Sequence, residues 1–328
     1  MRRAAIATVI VVLVLAAGIL LWTDAQYTAS GPVARHGHQS IVLIRPGMGG
    51  AGIARTLKAA GVIRNAMLFQ LEVRLKGEGA ELRAGEYAIP SKASMADIAA
   101  ILIAGKVVEH KLTIPEGFTS QMAYSVVQAN KVLVGKAGAV PAEGSLLPDT
   151  YLFTWGTTRA QLLARMHRAQ LRFLAKVWPK RAPGLPLKTA EQAVTLASIV
   201  EKETALPLER RHVAAVFENR LRLGMKLQSD PTIIYGITKG YPLGHPILES
   251  ELSAVTPYNT YVIDGLPPTP ICNPGRASIL AVLHPLKSKD LYFVADGKGG
   301  HVFAATFAQQ DKNVAHWREI QKAKKGNQ

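Results

Sequence analysis

Two glutamates at the end of a long apolar stretch have the spacing and setting for acid–base chemistry. Glu201 and Glu203 flank Lys202 and follow residues 193–200, which carry no charge. A helix that is apolar almost all round is a buried one. Desolvation and a position near a helix C-terminus both raise the pKa of a carboxyl group, as a general acid working near neutral pH requires. Both glutamates are therefore candidate acids.

The helix that positions these carboxylates has a recognisable start. Thr189 and Gln192 have the spacing of a capping box, which predicts a helix over residues 190–204. At about 100° per residue, Glu201 lies above Val194 on that helix, and Glu203 emerges on a different side. A plainer interpretation stays open at this point, in which the glutamates form a solvated helix end paired with lysine or arginine side chains.

Polar and aromatic side chains gather further along the chain. Asn219 lies on a predicted helix, and Gln228 and Asp230 precede Pro231 in a predicted loop. Tyr258 and Asn259 supply an aromatic face and an amide, which are side-chain types that hold sugar rings. Each of these segments taken alone is more often a structural loop than a binding site.

Composition and motif content argue against several classes of function. The chain has 328 residues, and its net charge of +16 favours anionic partners. Aromatic residues make up only 6% and no nucleic-acid motif occurs, so we expect no nucleic-acid partner. A single cysteine, Cys272, and the lack of a His-Glu-x-x-His pattern give no basis for a metal site.

One glycine pattern resembles a dinucleotide fingerprint but does not fit its context. Gly47, Gly49 and Gly52 have the G-x-G-x-x-G spacing. However, Pro46 interrupts the step from strand to loop, and Glu72, twenty residues on, falls within a predicted helix. We therefore predict no nicotinamide cofactor, and no other cofactor.

The N-terminus predicts a membrane anchor. Residues 4–22 form an uncharged, proline-free run, which spans about 28 Å as a helix. Arg2 and Arg3 predict that residues 1–3 stay in the cytoplasm and that the rest lies outside the inner membrane, in the periplasm. A cleaved signal peptide is the alternative, but its apolar region is normally shorter. Residues 23–39 are polar, and we interpret them as a linker.

Two folded regions follow, and together they predict an α+β protein. In residues 40–106, strand and helix patterns alternate as a small β-α-α-β module, and Ser94 with Asp97 resembles a capping box for one more helix. Residues 107–328 form a larger mixed α+β domain that contains Glu201 and the downstream polar residues. A hairpin with a glycine-rich loop, residues 291–305, needs no ligand to explain its glycines.

Several blocks, in order along the chain, resemble the YceG-like endolytic murein transglycosylases. They are Leu147–Tyr151, Leu196–Thr204, Asn219–Leu221, Leu227–Thr232, Pro257–Tyr261, Gly265–Pro268 and Tyr292–Gly297. The resemblance implies a LysM-like module in residues 40–106 and a catalytic domain in residues 107–328, whose essential glutamate matches Glu201. It further implies cleavage within nascent peptidoglycan strands, which limits their elongation, in contact with wall synthases such as penicillin-binding proteins.

The chemistry of that family needs one carboxyl group and no metal or cofactor. Glu201 would protonate the glycosidic oxygen that leaves C1 of N-acetylmuramic acid, and the sugar's own C6 hydroxyl would then attack C1. The product is a 1,6-anhydro ring. Gln228, Asp230, Tyr258 and Asn259 are candidates for holding the distorted sugar. Asn219 is a further candidate for substrate binding, and Glu203 either positions Glu201 or replaces it as the acid.

Two other functions remain open from the sequence. A muramidase-type hydrolase would use Glu201 with a second carboxylate, Glu203 or Asp230, and would release a reducing end. A non-catalytic scaffold would bind the wall through the LysM-like module alone. The end group of the product separates the first alternative from the transglycosylase, and an inert Glu201→Gln change would support the second.

Overall fold

The chain divides into two units, and each is described by itself. A computed structural model describes residues 2–35 and 37–326. Unit 1 comprises Met1–Lys111 and Leu152–Thr157, and unit 2 comprises Leu112–Tyr151 and Thr158–Gln328. The mixed α+β class predicted from the sequence is confirmed.

Unit 1 contains a strand–helix–helix–strand segment behind a long first helix. Its elements are α1 (Arg2–Thr28), β1 (Gln39–Ile44), α2 (Gly50–Ala59), α3 (Ala66–Leu75), a 3₁₀ turn (Glu78–Ala80), β2 (Gly85–Pro90) and α4 (Met95–Ala104). Strands β1 and β2 pair antiparallel, with Ile44 opposite Gly85. The helices cover this two-stranded sheet because their apolar faces meet it in a core that includes Leu57, Phe69 and Ile98.

Helix α1 is long and apolar enough to cross a membrane, and it continues beyond the predicted span. Within its Ala5–Thr28 portion, a window of 18 residues has a mean hydropathy of 2.8. The segment predicted to be a linker, residues 23–39, begins with the last turns of this helix. Tyr27 is 2% exposed and packs against Phe69, and Asp24 forms an ion pair with Lys76 at 3.1 Å. Burial of Tyr27 in the core of unit 1 therefore keeps this part of the segment helical.

Unit 2 is mainly helical. The chain passes between the units along β3 (Glu109–Thr113) and β4 (Thr150–Thr154). The elements that complete unit 2 are α5 (Ser120–Ala129), α6 (Arg159–Val177), a 3₁₀ turn (Trp178–Lys180), α7 (Ala190–Glu203), α8 (Arg210–Arg222), α9 (Asp230–Thr238), α10 (Glu249–Leu252), α11 (Arg276–Leu283), β5 (Tyr292–Ala295), β6 (His301–Ala304) and α12 (Phe307–Gly326).

Helix α7 lies in the core of unit 2. Its apolar residues from Ala193 to Val200 are buried, and they pack with α8 and α11 around Phe217 and Val282. Strands β5 and β6 form an antiparallel hairpin, with Ala295 opposite His301. The buried helix thus brings the two candidate acids to the end of a well-packed element.

Candidate active site

The cap of α7 fixes the helix that carries both candidate acids. The Thr189 hydroxyl accepts a hydrogen bond from the Gln192 backbone N–H at 3.2 Å. Gln192 does not complete the predicted capping box, because its side-chain oxygen accepts from the Lys188 N–H at 2.7 Å instead. At the other end, the Thr204 N–H donates to the Val200 carbonyl and closes the last turn. Glu201 and Glu203 leave this last turn in different directions.

Glu201 faces the N-terminus of α11. Its Oε2 accepts from the Gly275 backbone N–H at 2.9 Å, and its Oε1 lies 3.8 Å from Nη2 of Arg210. The side chain of Glu201 is 7% exposed. Its carboxylate therefore ties the end of α7 to the start of α11 and to α8.

Glu116 is a second carboxylate at this junction, and the sequence interpretation did not single it out. Its carboxyl group lies so close to Gly275 that a β-carbon at that position would collide with it. Burial and the nearby charge of Glu201 raise the pKa of Glu116. The Pro115-Glu116-Gly117 turn is the signal that the sequence offers for this residue.

Glu203 faces a polar cluster on the other side of the helix end. The Ser229 hydroxyl donates a short hydrogen bond to its Oε1. Burial raises the pKa of Glu203 to about 7, although Ser229, His301 and Arg220 act in the opposite direction. A carboxyl group with such a pKa is protonated in a large fraction of molecules near neutral pH and can serve as a general acid.

Gln228 and Asp230, both predicted from the sequence, lie in this same cluster. The Tyr261 hydroxyl donates to Asp230 Oδ1 at 2.6 Å, and the charge of Asp230 contributes to the raised pKa of Glu203. Gln228 has a φ of 53°, and its side-chain oxygen accepts from Nη1 of Arg220 at 3.1 Å. We call Glu203, Arg220, Gln228, Ser229, Asp230 and Tyr261 the acid cluster.

His301, at the start of β6, is a neighbour of Glu203 that the sequence interpretation missed. Its Nδ1 lies 2.7 Å from Oε2 of Glu209, and its backbone N–H donates to Oε1 of the same residue at 2.9 Å. Phe293 contacts the imidazole edge-on at 5.3 Å between ring centres. The hairpin, interpreted from sequence as a glycine-rich loop without a ligand, therefore holds an imidazole near the acid.

The side chains of Asn219 and Asn259 donate hydrogen bonds to backbone carbonyls in this structure. Nδ2 of Asn219 donates to the carbonyls of Ser288 at 2.9 Å and Asp290 at 3.0 Å. Asn259 is 1% exposed, and its amide donates to three carbonyls of the 251–254 segment. Both amides thus fix loops, and the substrate-binding roles predicted for Asn219 and Asn259 stay predictions.

Tyr258 lies beside a different carboxylate. Its ring packs edge-on against Tyr235 at 4.9 Å between centres, and the Tyr235 hydroxyl donates to Glu143 at 3.1 Å. Burial raises the pKa of Glu143, which also accepts from the Ser120 N–H at 2.7 Å. Glu143 was not singled out from sequence, since it stands in a loop without any recognisable motif.

The arrangement offers no metal centre in the part of the chain that the structure describes. Residues 2–35 and 37–326 contain no group of three His, Cys, Asp or Glu side chains placed to hold an ion. Within the acid cluster, Glu203 is a carboxyl group that can give or take a proton, and Asp230, Tyr261 and Gln228 are the polar groups around it.

A family model and the similar proteins all indicate the same family for this chain. The family model described as the YceG-like family matches residues 42–316. A Streptococcus pneumoniae protein named endolytic murein transglycosylase is 31% identical over 312 residues, covering 80% of this chain and 55% of that protein. A Bacillus subtilis protein of the same name is 34% identical over 172 residues, covering 52% of this chain and 47% of that protein. The chain thus spans about half the length of these relatives.

A solved structure extends the similarity to the fold. The crystal structure of a putative YceG-like protein from Listeria monocytogenes matches with a TM-score of 0.50 at 30% sequence identity. The match covers 84% of this chain and 99% of that one. Because the family model spans most of the chain, including both units and the acid cluster, the chain belongs to the YceG-like family.

Proposed function

We propose that this protein is a lytic transglycosylase that cleaves within peptidoglycan glycan strands. The observation that carries the proposal is the position of Glu203 at the end of α7, where it accepts from Ser229 and burial raises its pKa to about 7. Two relatives carry the name endolytic murein transglycosylase. The substrate bond is the β-1,4 linkage between N-acetylmuramic acid and N-acetylglucosamine.

We assign the acid role to Glu203 rather than to Glu201, which the sequence resemblance had suggested. The Glu201 carboxylate accepts from the Gly275 N–H and lies beside Arg210, so its contacts connect α7 with α11 and α8. Glu203 instead accepts from the Ser229 hydroxyl and lies within the charge field of Asp230, in a cluster of polar side chains. Glu201 then acts as a positioning residue for the last turn of α7.

The reaction follows from one proton that leaves Glu203 and returns to it. Glu203 gives its proton to the glycosidic oxygen, and the bond from that oxygen to C1 of N-acetylmuramic acid breaks. The C6 hydroxyl of the same sugar attacks C1 and transfers its proton to the Glu203 carboxylate. A 1,6-anhydro ring forms, the acid is regenerated, and no water is consumed.

Asp230 supports a second candidate, a muramidase-type hydrolase. Its charge acts on Glu203, so a second carboxylate is near the acid, as hydrolases require. We favour the transglycosylase because Asp230 accepts a hydrogen bond from the Tyr261 hydroxyl and is the N-terminal residue of α9. Water activated by Asp230 would leave a reducing end, whereas internal capture leaves an anhydro end.

The N-terminal part of the chain supports a role at the membrane. We infer that α1 anchors the protein in the inner membrane through residues 4–22, with residues 1–3 cytoplasmic and the chain after residue 22 in the periplasm. Residues 40–106 would act as a LysM-like module that contacts glycan, and residues 107–328 as the catalytic domain. Cleavage near the membrane would limit strand elongation beside wall synthases of the penicillin-binding class. Longer glycan strands in cells that carry only the Glu203→Gln protein would support this role.

Mass spectrometry of glycan strands digested by the full-length chain in detergent tests the activity. Anhydro-muramic ends produced by the wild type, and lost in Glu203→Gln, would establish both the reaction and its acid. Reducing ends would establish the hydrolase. Unchanged glycan, with retained binding to strands, would establish a non-catalytic scaffold.

A further inference from the structure

The loop from His284 to Leu291 is held rigidly by side chains of α8. Arg211 Nε donates to the His284 carbonyl at 2.7 Å, and Arg220 Nε donates to the Leu291 carbonyl at 2.6 Å. Between these two points, Asn219 bonds the carbonyls of Ser288 and Asp290. A loop fixed at both ends and in its middle presents its side chains in a defined arrangement.

This loop forms one wall of a groove with cations on its rim. The groove has a volume of about 600 Å³, and its lining includes the cations Arg222, Lys287 and Lys289. Apolar side chains, among them Leu185 and Ala215, line it as well. The volume is that of a small-ligand site, and the lining combines apolar contact with positive charge.

Arg222 is preorganised in the groove by three neighbours. Its guanidinium donates to Asn219 Oδ1 at 2.9 Å, to Glu218 Oε2 at 3.1 Å and to the Gly184 carbonyl at 3.4 Å. Its side chain nevertheless remains 41% exposed. An arginine held in this way loses little conformational freedom when it binds an anion, and its planar group suits a carboxylate.

Glu218, which holds Arg222, is completely buried and only partly satisfied. Its side chain is 0% exposed, and its Oε1 has no hydrogen-bond partner among the residues that the structure describes. Burial raises the pKa of Glu218 to about 7. Near neutral pH Glu218 is therefore only partly ionised, and it offsets less than one full positive charge. Because three cations line the groove, the groove keeps a net positive charge.

The loop that forms the wall of the groove is joined to the acid cluster by one residue of α8. Arg220, between Asn219 and Arg222 in sequence, contacts Leu291 at the end of the loop and Gln228 in the acid cluster. A polymeric substrate whose sugar lies at Glu203 could thus place a substituent in the groove.

We propose that this groove binds the carboxylates of the peptides that branch from the glycan strand. The inference rests on the proposed function, because it takes the glycan strand as the substrate. Wall peptides combine small apolar side chains with carboxylates, which matches the lining of apolar residues and cations. The groove would then make the protein prefer strands that still carry their peptides.

Binding measurements on the inactive Glu203→Gln chain test this proposal separately from catalysis. The probes are glycan strands with intact peptides and the same strands after an amidase has removed the peptides. We expect removal of the peptides to weaken binding roughly tenfold. The double variant Lys287→Ala, Lys289→Ala should weaken binding to intact strands by a similar factor. The loss caused by this variant and the loss caused by removal of the peptides should not add. Both lysines are exposed, so the fold should tolerate their replacement.

A matched variant controls for net charge. Lys131→Ala with Lys136→Ala removes two exposed lysines from the segment after α5 and should leave the preference for intact strands unchanged. Equal affinity of the parent chain for intact and stripped strands would overturn the proposal, as would additive losses in the groove variant. If the wild type forms no anhydro ends while the preference for intact strands persists, the proposed reaction is contradicted and the proposed role of the groove is still supported.

Discussion

The Ser229 hydroxyl donates to the carboxyl group of Glu203, whereas Glu201, two residues earlier, accepts from the backbone of Gly275. The two glutamates therefore belong to separate surroundings, although they share the last turn of α7. Glu203 is in contact with a polar side chain of the acid cluster, and Glu201 links three helices. This division predicts different consequences for the same substitution at the two positions.

Replacing each glutamate by glutamine separates catalysis from positioning. Glu203→Gln removes the transferable proton, so we expect the rate of anhydro-end formation to fall by at least about a thousandfold. Glu201→Gln can still accept from the Gly275 N–H, and we expect a loss of roughly tenfold or less. Single-turnover assays with both variants provide the comparison. A larger loss in Glu201→Gln than in Glu203→Gln would restore Glu201 as the acid.

The pH profile should report the raised pKa of Glu203. Only the protonated acid donates its proton, so kcat/KM should be highest below pH 7 and should fall as the pH rises through about 7. His301 lowers the pKa of Glu203, and His301→Gln should therefore move this alkaline limb to higher pH. His316→Gln, which changes a histidine that is 73% exposed, is the matched control. An alkaline limb that stays in place in His301→Gln would contradict the electrostatic role of the imidazole.

Stability should depend on pH through Glu218. Its pKa is about 7 in the folded chain and near 4.5 when unfolded, so its stabilising contribution is complete below pH 4.5 and is lost as the pH rises to about 7. The loss is on the order of 3 kcal/mol. Between pH 5 and pH 8, the thermal midpoint of the wild type should therefore fall more than that of Glu218→Gln. Glu319→Gln, at a glutamate that is 79% exposed, should behave like the wild type.

Gly144 should tolerate no side chain. Its φ is +73°, and a β-carbon there would lie 2.5 Å from the Pro270 ring and 3.0 Å from Val194. Gly144→Ala combines backbone strain with this overlap, and we expect a loss of about 2–4 kcal/mol. Gly138 has a similar φ of +84°, with no described atom within 4 Å of the added carbon, so Gly138→Ala measures the backbone strain alone. Thermal melts of both variants supply the difference, and equal midpoints would show that the overlap costs nothing.

Local signals in the sequence were sufficient for several helices. The β-α-α-β order predicted within residues 40–106 agrees with the structure, and Ser94 and Asp97 form the capping box inferred from their spacing. These features depend on residues three or four positions apart. The helical turns at the start of the predicted linker could not be found in this way, because they depend on contact between Tyr27 and Phe69.

The acid cluster was only partly visible for the same reason. Gln228 and Asp230 were found because their residue types and turn context point to a polar loop. Asn219 and Asn259 have the same polar character, but their amides bind backbone carbonyls, which side-chain type alone does not reveal. The choice between Glu201 and Glu203 depended on Gly275 and Ser229, which come from distant parts of the chain.

Helix α1 runs without a break into the core of unit 1, and this restricts how that unit can move relative to the apolar stretch. Residues 22–28 are helical, and their rise is about 9 Å, so no flexible tether separates the apolar stretch from Tyr27. If this helix crosses the bilayer, a tilt of the helix tilts unit 1 with it, and the unit keeps a fixed height above the lipid surface. Unit 1 would then contact only glycan that lies within a fixed distance of the membrane, where new strands emerge.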